Sequence, residues 1–231
     1  MDSSILRGGL AMLALSTLAL PILTLSWATA CQAETLPPAE RPDPKIGDSA
    51  VFRNLDMRTG EKRETSVVVI MIDADKIVNE TSGSTSGTRT YTRDYNLLQI
   101  KTGEKVTFTA KPFWASLRFP LEVGQTWDGF FESEAVLRPR NRSTQWRWKA
   151  NVVAAEAVTV PAGTFQTFKI EYDGRYFAHQ SDQSWTGSHK ETAWFAPSIN
   201  QFVKRELEQR APGRNFLNHH VTELVSFKPA P

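Results

Sequence analysis

The stretch VTVPAGTFQTFKIEY, Val158–Tyr172, decides the fold because apolar and polar residues alternate on both sides of a Pro-Ala-Gly corner. Pro161 presets φ for the first corner of a type I turn, and Gly163 can adopt the left-handed conformation that follows it. The two arms are therefore predicted to form a β-hairpin with a bulge at its corner. Each arm can bury one face and expose the other, which is typical of an antiparallel sheet. On the outgoing arm the apolar face carries Phe168, Ile170 and Tyr172.

The same two-residue period continues through most of the chain after Gly47. Turn signals recur at intervals of about 8 to 15 residues, which is the spacing of an all-β domain. No stretch in this region keeps an apolar helical face with caps over several turns. Strands are predicted near 48–57, 66–72, 76–81, 88–94, 97–101, 106–110, 127–137, 143–160, 201–210 and 215–227.

The composition excludes several classes of protein. With 231 residues, of which 40% are hydrophobic, the chain is long enough for one large or two small domains. Its formal charge is +2, from 27 basic and 25 acidic residues, which is too even to indicate a nucleic-acid partner. A single cysteine excludes an intrachain disulfide and a cysteine-rich zinc site. We therefore predict no nucleic-acid partner and no cofactor.

Residues 1–30 have the layout of a cleaved export signal. Arg7 precedes the apolar segment 10–25, and the small residues Ala28-Thr29-Ala30 follow it. A transmembrane anchor is the competing interpretation, but an anchor needs about 20 apolar residues. This segment is shorter and contains Pro21, so we assign residues 1–30 as a signal peptide.

Cys31 directly follows the small residues, and its position resembles the lipobox of bacterial lipoproteins, in which the cysteine is lipidated and becomes the mature N-terminus. Ala28 stands where a lipobox usually has leucine, so cleavage after Ala30 or Ala33 without lipidation stays open. The resemblance implies attachment to a membrane through the lipidated N-terminus. Gln32 resembles an outer-membrane sorting residue, which implies a periplasmic or outer-membrane location in bacteria.

Residues 31–46 contain a polar, proline-rich run, ETLPPAERPDPK. Proline-rich segments favour extended conformations at about 3.1 Å per residue, so this run predicts a tether of roughly 35 Å. The remaining residues, 47–231, form the predicted antiparallel β domain.

Four strings in the chain resemble a group of uncharacterised exported bacterial proteins. They are E-x-V-T-V-P-A-G-T-F at 156–165, PKIGDSAVFRN at 44–54, FPLEVGQTW at 119–127 and ETAWFAP at 191–197. The strings consist of turn and packing residues, so they identify a family and no catalyst. The resemblance implies a curved antiparallel sheet similar to the half-barrels of lipoprotein carriers. We therefore predict an all-β fold, a meander of about 10–12 strands with few or no helices, curved into a half-barrel or open barrel.

Two of the four histidines, His179 and His189, flank a turn-like segment and could face each other across a hairpin. Two imidazoles are half of a zinc site, and Asp182 could add a third ligand. The alternative is that both histidines are solvent-exposed at strand ends, and we favour it because ligand spacing alone is a loose criterion. His219 and His220 are adjacent on a predicted strand, so they point to opposite faces.

Two pairs of carboxylates lie two residues apart and therefore on one face of a strand, Glu132 with Glu134 and Glu206 with Glu208. Paired carboxylates catalyse glycoside hydrolysis when they are held at the right separation. The commoner explanation of such pairs is the solvated face of a strand, and we favour it here.

The segment RPRNRSTQWRWK, residues 138–149, interleaves cations with tryptophans. One interpretation is a basic aromatic edge that contacts anionic lipid headgroups or another envelope protein. The alternative is that both tryptophans are core and that the cations form the exposed face of a half-buried strand. The candidate contact residues are Arg140, Arg142, Trp146, Arg147, Trp148 and Lys149.

These features predict an exported, lipid-anchored envelope protein that is not an enzyme. Its predicted activity is the binding of an amphipathic ligand, a lipid or a lipoprotein chain, in its curved sheet. One alternative is a structural module that docks another envelope protein through the basic strand, and a further one is a glycan-acting enzyme that uses Glu132 and Glu134. The remaining tryptophans would either line a pocket or fill a barrel core; they are Trp114, Trp127, Trp185 and Trp194.

Overall fold

A computed structural model describes residues 36–137, 140–211, 213 and 216–231. The predicted signal peptide, Cys31 and the beginning of the predicted tether lie outside these residues. The described residues belong to one compact unit, Ala33–Pro231. Within this part of the chain, no helix is both long enough and apolar enough to cross a membrane.

Twelve strands make up most of the described chain. Their bounds are β1 Ser49–Asp56, β2 Lys62–Ile72, β3 Lys76–Gly83, β4 Gly87–Thr92, β5 Leu97–Thr102, β6 Lys105–Trp114, β7 Thr126–Leu137, β8 Arg140–Val160, β9 Gly163–Gln180, β10 Gln183–Ala196, β11 Gln201–Ala211 and β12 Phe216–Lys228. A short 3₁₀ turn, Pro197–Ile199, connects β10 to β11.

All twelve strands belong to one antiparallel sheet that closes into a barrel. Each strand pairs with its neighbours in sequence, and β1 also pairs with β12, from Ser49↔Lys228 to Asp56↔His220. We call this β1–β12 pairing the seam. The prediction of an all-β antiparallel meander is confirmed, but the prediction of a half-barrel or open barrel is wrong. The sheet closes because β1 pairs along its whole length with residues 220–228 of β12.

The hairpin predicted at Val158–Tyr172 is present in β8 and β9, but the bulge predicted at its corner is not, because the register is unshifted from Val158↔Phe165 to Val160↔Gly163. Val160 pairs with Gly163 across a two-residue turn, and Gly163 has a positive φ of 131°. The predicted faces are confirmed as well, because Glu171 is exposed while the apolar face is buried in the barrel; its members are Phe168, Ile170 and Tyr172.

The tip of this hairpin also packs against strands near the seam. The Ala162 backbone N–H donates a hydrogen bond to the Leu224 carbonyl oxygen at 3.1 Å. Val160, Trp194 and Leu224 are buried in one apolar cluster. The Trp194 Nε1–H donates to Glu156 Oε1 at 2.7 Å. The tip of the hairpin is therefore attached to β12, which is not its neighbour in the sheet, as well as to its sheet neighbour β10.

A cluster of aromatic side chains fills the barrel interior along β6–β10. The Trp114 ring centroid lies 4.9, 5.0 and 5.5 Å from those of Phe131, Trp146 and Trp148. Trp148 also stacks on His189 at 5.2 Å. Aromatic pairs of this kind add about 0.5–1.5 kcal/mol each beyond area burial. On this side of the barrel, the aromatic residues thus fill a core.

Two glycines in the middle of strands make room for the Trp148 indole. Gly129 on β7 and Gly174 on β9 are the cross-strand partners of Trp148. A Cβ atom at Gly129 would lie 2.1 Å from Trp148 Nε1, and one at Gly174 would lie 2.5 Å from Trp148 Cβ. Both positions therefore require glycine because of a close approach, and neither lies in a turn.

One end of the barrel is covered by the connection between β6 and β7, residues 115–125. Leu117 and Leu121 of this connection are buried. The Asn96 side chain holds the Leu117 backbone through two hydrogen bonds, of 2.8 and 2.9 Å. The Tyr172 hydroxyl donates a further hydrogen bond to the Ser116 carbonyl oxygen.

The C-terminal part of the predicted tether packs on this connection. Ala39 and Leu121 exchange two backbone hydrogen bonds of 2.8 Å, and Ala39, Pro42 and Pro44 are buried. The expectation of a free spacer is therefore corrected for residues 36–46. Proline has no backbone N–H and an apolar ring, so its burial leaves no unsatisfied donor.

We expect Gly129→Ala to lower the free energy of unfolding by about 1–3 kcal/mol, because the new methyl group overlaps the Trp148 indole. The three atoms nearest to that methyl group all belong to Trp148. In a Trp148→Leu background the same substitution should therefore cost less than about 0.5 kcal/mol. Urea unfolding of the four proteins measures both costs. Equal costs in the two backgrounds would show that Trp148 does not occupy the space beside Gly129.

Candidate functional site

A cavity of ≈ 500 Å³ lies inside the barrel, with walls from β1–β6 and β10–β12. Ligand pockets typically measure about 300–1,000 Å³, so the cavity is large enough for one small molecule. Its main apolar wall residues are Phe52, Val67, Leu97, Trp114, Phe195, Phe202 and Leu207. Its main polar wall residues are Asn54, Arg63, Asn79, Arg89, Tyr91, Tyr95, Glu191, Arg205, His220 and Thr222.

Four polar side chains of the cavity wall form a row across the seam. Arg205 on β11 pairs with Thr222 on β12. Asn54 on β1 pairs with Thr222 on one side and with Arg63 on β2 on the other. The Asn54 Nδ2–H donates to Thr222 Oγ1 at 2.9 Å, so the threonine hydroxyl can still donate its own proton. The register of the closed barrel thus brings polar groups from four strands to one level.

A buried ion pair connects this row to β10. The Arg205 Nε–H donates to Glu191 Oε1 at 2.6 Å, and His189 Nε2 lies 3.5 Å from Glu191 Oε2. Burial on its own would raise the pKa of Glu191, but the Arg205 charge, its hydrogen bond and the nearby His189 ring outweigh burial and lower this pKa to about 2. Glu191 is therefore ionised in the folded protein at neutral pH.

Arg205 faces the cavity beyond this pair. Its side chain is 38% exposed although that of Glu191 is only 4% exposed, and it lines the cavity. Its guanidinium carbon lies 5.1 Å from the Phe202 ring centroid, so charge and apolar surface meet here. His220 of β12 also lines the cavity. Burial lowers the pKa of its imidazole.

Three polar atoms at the cavity wall are buried without a hydrogen-bond partner in the protein: Asn79 Oδ1, Arg89 Nε and the Tyr95 hydroxyl. Asn79 and Arg89 are directly opposite each other on β3 and β4. Leaving a buried polar group unpaired costs about 1–3 kcal/mol, and folded proteins pair nearly all of them. Each of these atoms has almost no accessible surface, so they mark a part of the wall whose polar groups are unpaired, and a ligand in the cavity does not contact these three atoms directly.

The cavity opens towards solvent at the end of the barrel that carries the β1–β2 and β3–β4 turns. Ser84 and Thr85 of the β3–β4 turn are exposed, and the Arg63 side chain is 61% exposed. All three residues line the cavity. Because residues 115–125 cover the opposite end, a ligand would enter beside the β3–β4 turn.

A second depression, of ≈ 550 Å³, lies on the outer surface over β8–β12. Its rim carries both signs of charge, and cations there have acidic neighbours, such as Lys190 with Asp173 at 3.8 Å. Solvent-exposed ion pairs of this kind contribute little to the stability of the fold. We interpret this depression as a solvated face of the sheet.

The structure divides the candidate contact residues of β8 between two faces. Trp146 and Trp148 are buried in the aromatic cluster, while Arg147 and Lys149 are exposed on the outer surface. Arg147 lies 5.0 Å from the ring centroid of Phe130. The predicted alternation is confirmed, and both tryptophans belong to the core, so they are not accessible to a partner at the outer surface.

The other two candidates of this segment lie at the beginning of β8. Arg142 is half-buried and lies on the same face of the strand as Trp146. Arg140 begins the strand, and its side chain falls outside the described part of the structure. The six candidates therefore do not form one surface.

The histidines predicted to flank a turn lie on opposite faces of the β9–β10 hairpin. His179 pairs with Ser184, and His189 pairs with Gly174. His179 is exposed, as expected, with Nδ1 at 2.9 Å from Ser184 Oγ. The expectation that His189 is exposed is wrong, because this residue points into the barrel and is 1% exposed. Among the described residues, no three His, Cys, Asp or Glu side chains are placed to hold a metal ion.

The paired carboxylates lie on the outer surface and not in the cavity. Glu132 and Glu134 are exposed, and Glu132 Oε1 accepts a hydrogen bond from Gln145 at 3.0 Å. Glu206 and Glu208 contact cations of their own strand, Lys204 at 2.8 Å and Arg210 at 2.7 Å. This geometry does not favour the glycan-hydrolysing alternative.

Sequence reasoning did not identify Glu191, Arg205 and Arg89 as site residues. A signal for the first two was present, because each occupies the position at which the strand's alternation requires an inward side chain. Glu191 precedes the buried Ala193 by two residues, and Arg205 precedes Leu207, an apolar residue of the cavity wall, by two. A charged residue in phase with buried apolar ones indicates a paired or ligand-facing charge.

No protein-family model matches this chain, and no curated protein matches it. Among solved structures, the barrel is similar to a candidate lipoprotein from Parabacteroides distasonis, with a TM-score of 0.50 and 13% identity over 84% of this chain and 100% of that one. An exported protein with a YmcC-like fold from Bacteroides fragilis gives a TM-score of 0.39 and 15% identity over 82% of this chain and 99% of that one. The hypothetical lipoprotein YmcC from Escherichia coli gives a TM-score of 0.46 and 11% identity over 80% of this chain and 85% of that one.

At these identities the first likeness shows a shared fold alone, and the other two are too distant to carry an argument. The resemblance predicted from the sequence, to exported bacterial proteins with lipoprotein-like barrels, is confirmed at the level of the fold.

Removing the Glu191 carboxylate is expected to destabilise the barrel. Its folded-state pKa of about 2 lies below the ordinary 4.5, so its contribution is present above pH 4.5 and is lost as the pH falls towards 2. Glu191→Gln should lower the free energy of unfolding by about 3 kcal/mol at pH 7, because Arg205 loses its partner, and by much less near pH 2.

Glu64→Gln is the matched control, since Glu64 accepts a hydrogen bond from Arg53 at 3.0 Å on the exposed face of the sheet. Its cost should stay below about 1 kcal/mol at both pH values. Denaturant unfolding of the wild type and both variants, at pH 7 and near pH 2, measures the loss of unfolding free energy for each variant at each pH. A loss for Glu191→Gln that does not depend on pH would contradict the ionised pair.

Proposed function

We propose that this protein binds one small amphipathic molecule inside its barrel and acts as an exported protein held at a bacterial membrane surface. The observation that carries the proposal is the internal cavity of ≈ 500 Å³, in which a polar row meets an apolar wall.

The two kinds of surface are adjacent on the same strands. On β1, Asn54 belongs to the polar row, and Phe52 is the next residue on the same face. On β11, Arg205 is followed towards the covered end by Phe202. An amphipathic molecule could therefore place its apolar part against Phe52, Phe195 and Phe202 and its polar end on the polar side chains of the wall. Mostly apolar walls with a few convergent polar groups are typical of small-molecule sites.

Two observations support export and membrane attachment. Residues 1–30 have the charge, apolar segment and small residues of an export signal, and Cys31 follows them in a lipobox-like position. The Parabacteroides distasonis protein that shares the fold is itself a candidate lipoprotein. Lipidation of Cys31 would place the barrel in the periplasm, tethered to the outer membrane.

Filling the cavity should abolish ligand binding without unfolding the barrel. We expect Val67→Phe to do this, since Val67 of β2 lines the cavity and the larger side chain would occupy the space of the ligand. Native mass spectrometry of protein purified from its own envelope should detect a bound small molecule on the wild type and not on this variant. Val106→Phe, at a residue 38% exposed on β6, is the control and should retain the ligand.

Two outcomes would contradict this proposal. A wild-type protein that is consistently empty would show that the cavity holds no ligand in the envelope. Equal ligand occupancy in the wild type and Val67→Phe, with unchanged thermal stability, would show that the bound molecule lies elsewhere.

Cys31 should be the point of membrane attachment. Growth with radioactive palmitate should label the wild type, and Cys31→Ala should remove the label and release the protein into the soluble periplasmic fraction. Each buried CH₂ of an acyl chain contributes about 0.8 kcal/mol of membrane binding. A wild type that is unlabelled and soluble would contradict lipidation and leave the internal cavity unaffected.

A further inference from the structure

The cavity wall carries more positive than negative charge. Among its residues Glu191 is the one acid, and the basic residues are Arg63, Arg89, Lys204 and Arg205. Three of these cations have a carboxylate partner: Arg63 with Glu61 at 2.7 Å, Lys204 with Glu206 at 2.8 Å and Arg205 with Glu191 at 2.6 Å. Arg89 has no carboxylate partner among the described residues.

Arg89 lies in the part of the wall next to the β3–β4 turn, at the open end of the cavity. It lies on β4 between Asn79 of β3 and Ile100 of β5. Its one hydrogen bond is long, 3.4 Å from a terminal nitrogen to Thr85 Oγ1. Its Nε is buried without a partner, and so is Oδ1 of Asn79, a residue that is 3% exposed. The two terminal nitrogens are not enclosed in this way, and the guanidinium edge that they form is largely unused, since it makes only the long bond to Thr85.

This unused edge has a definite chemical complement. A guanidinium edge binds a carboxylate through two parallel hydrogen bonds, and charge-assisted bonds of this kind are about twice as strong as neutral ones. A half-buried cation without an anion is unfavourable, so binding an anion would relieve that cost. The neutral Tyr95 hydroxyl, whose pKa is raised by burial, adds a further unpaired donor to the same wall.

The volume limits the size of the molecule. A cavity of ≈ 500 Å³ is in the range for one drug-sized ligand, about 300–1,000 Å³. That size fits a single-chain amphiphile better than a lipid with two acyl chains. The apolar wall beside Phe52 and Leu97 would receive the chain.

We infer that the ligand is a single-chain amphiphile with a carboxylate head, of the chemical class of a fatty acid, and that Arg89 binds this head. The inference rests on the proposed function, because it names the ligand class of the same cavity. Arg89 on β4 is the specificity-determining residue, and Arg205 across the cavity contributes positive charge while it holds Glu191.

The test compares a fluorescent fatty acid, cis-parinaric acid, with its methyl ester, which has the same chain and no charge. We expect the wild type to bind the acid at least about tenfold more tightly than the ester. Arg89→Gln should remove this preference by weakening binding of the acid about tenfold, and should leave binding of the ester unchanged. Arg89→Lys, which keeps the charge without the planar edge, should give an intermediate affinity for the acid.

Arg53→Gln is the matched control, because Arg53 lies on the exposed face of β1 with Glu64 as its partner; it should change neither affinity. Binding of the ester by each variant also shows that the barrel is folded.

Different failures have different meanings. If neither probe binds the wild type, the proposed function itself is contradicted. If acid and ester bind equally, or if Arg89→Gln weakens both alike, the cavity binds amphiphiles but the carboxylate inference is overturned. Displacement of the probe by dodecyl phosphate at lower concentration than by dodecanoate would overturn the choice of carboxylate over phosphate.

Discussion

The structure depends on the hydrogen-bonded seam between β1 and β12. This pairing joins the first and last strands, Ser49–Asp56 and Phe216–Lys228, which are far apart in sequence. Once the sheet is closed, alternate residues of every strand point into one enclosed volume. The hydrogen bond from the Ala162 backbone N–H to the Leu224 carbonyl oxygen adds a contact from the β8–β9 hairpin to β12, one of the two strands of the seam. Without the seam, the inward polar row would line an open groove, and its charges would be solvated.

The enclosed volume is filled unevenly, and the inward side chains explain why. Along β6–β10 these side chains include Trp114, Phe131, Trp146 and Trp148, whose rings contact one another. Along β1–β4 and β12 they are more polar and many are small, for example Asn54, Thr65, Asn79 and Thr222, beside larger ones such as Arg89 and Tyr91. Small side chains at opposing positions cannot reach across the barrel, so a cavity remains. The Glu191–Arg205 pair lies where the two halves meet, and it holds a buried charge at the cavity wall.

Local features of the fold could be predicted from the sequence, and features that join distant strands could not. The Val158–Tyr172 hairpin depends on alternation and on Pro161 and Gly163, all of which are visible in a short window. The burial of Trp146 and Trp148 follows from the same alternation. Closure depends on whether residues 49–56 reach residues 220–228, which no local pattern encodes. The partnership of Glu191 with Arg205 is likewise set by the β10–β11 register, and the lack of a partner for Arg89 is visible only once the walls are assembled.

The most direct test of the closed barrel is a disulfide across the seam. Arg53 and Glu223 are directly opposed on β1 and β12, where Cβ atoms lie about 4.5–5.5 Å apart. In a Cys31→Ser background, mild oxidation of the Arg53→Cys/Glu223→Cys protein should give an intrachain disulfide in the monomer. The Arg53→Cys/Val221→Cys protein, whose diagonal pair lies about 7–8 Å apart, should form little. Failure of the directly opposed pair to crosslink, or equal crosslinking of both pairs, would contradict a closed barrel with this register.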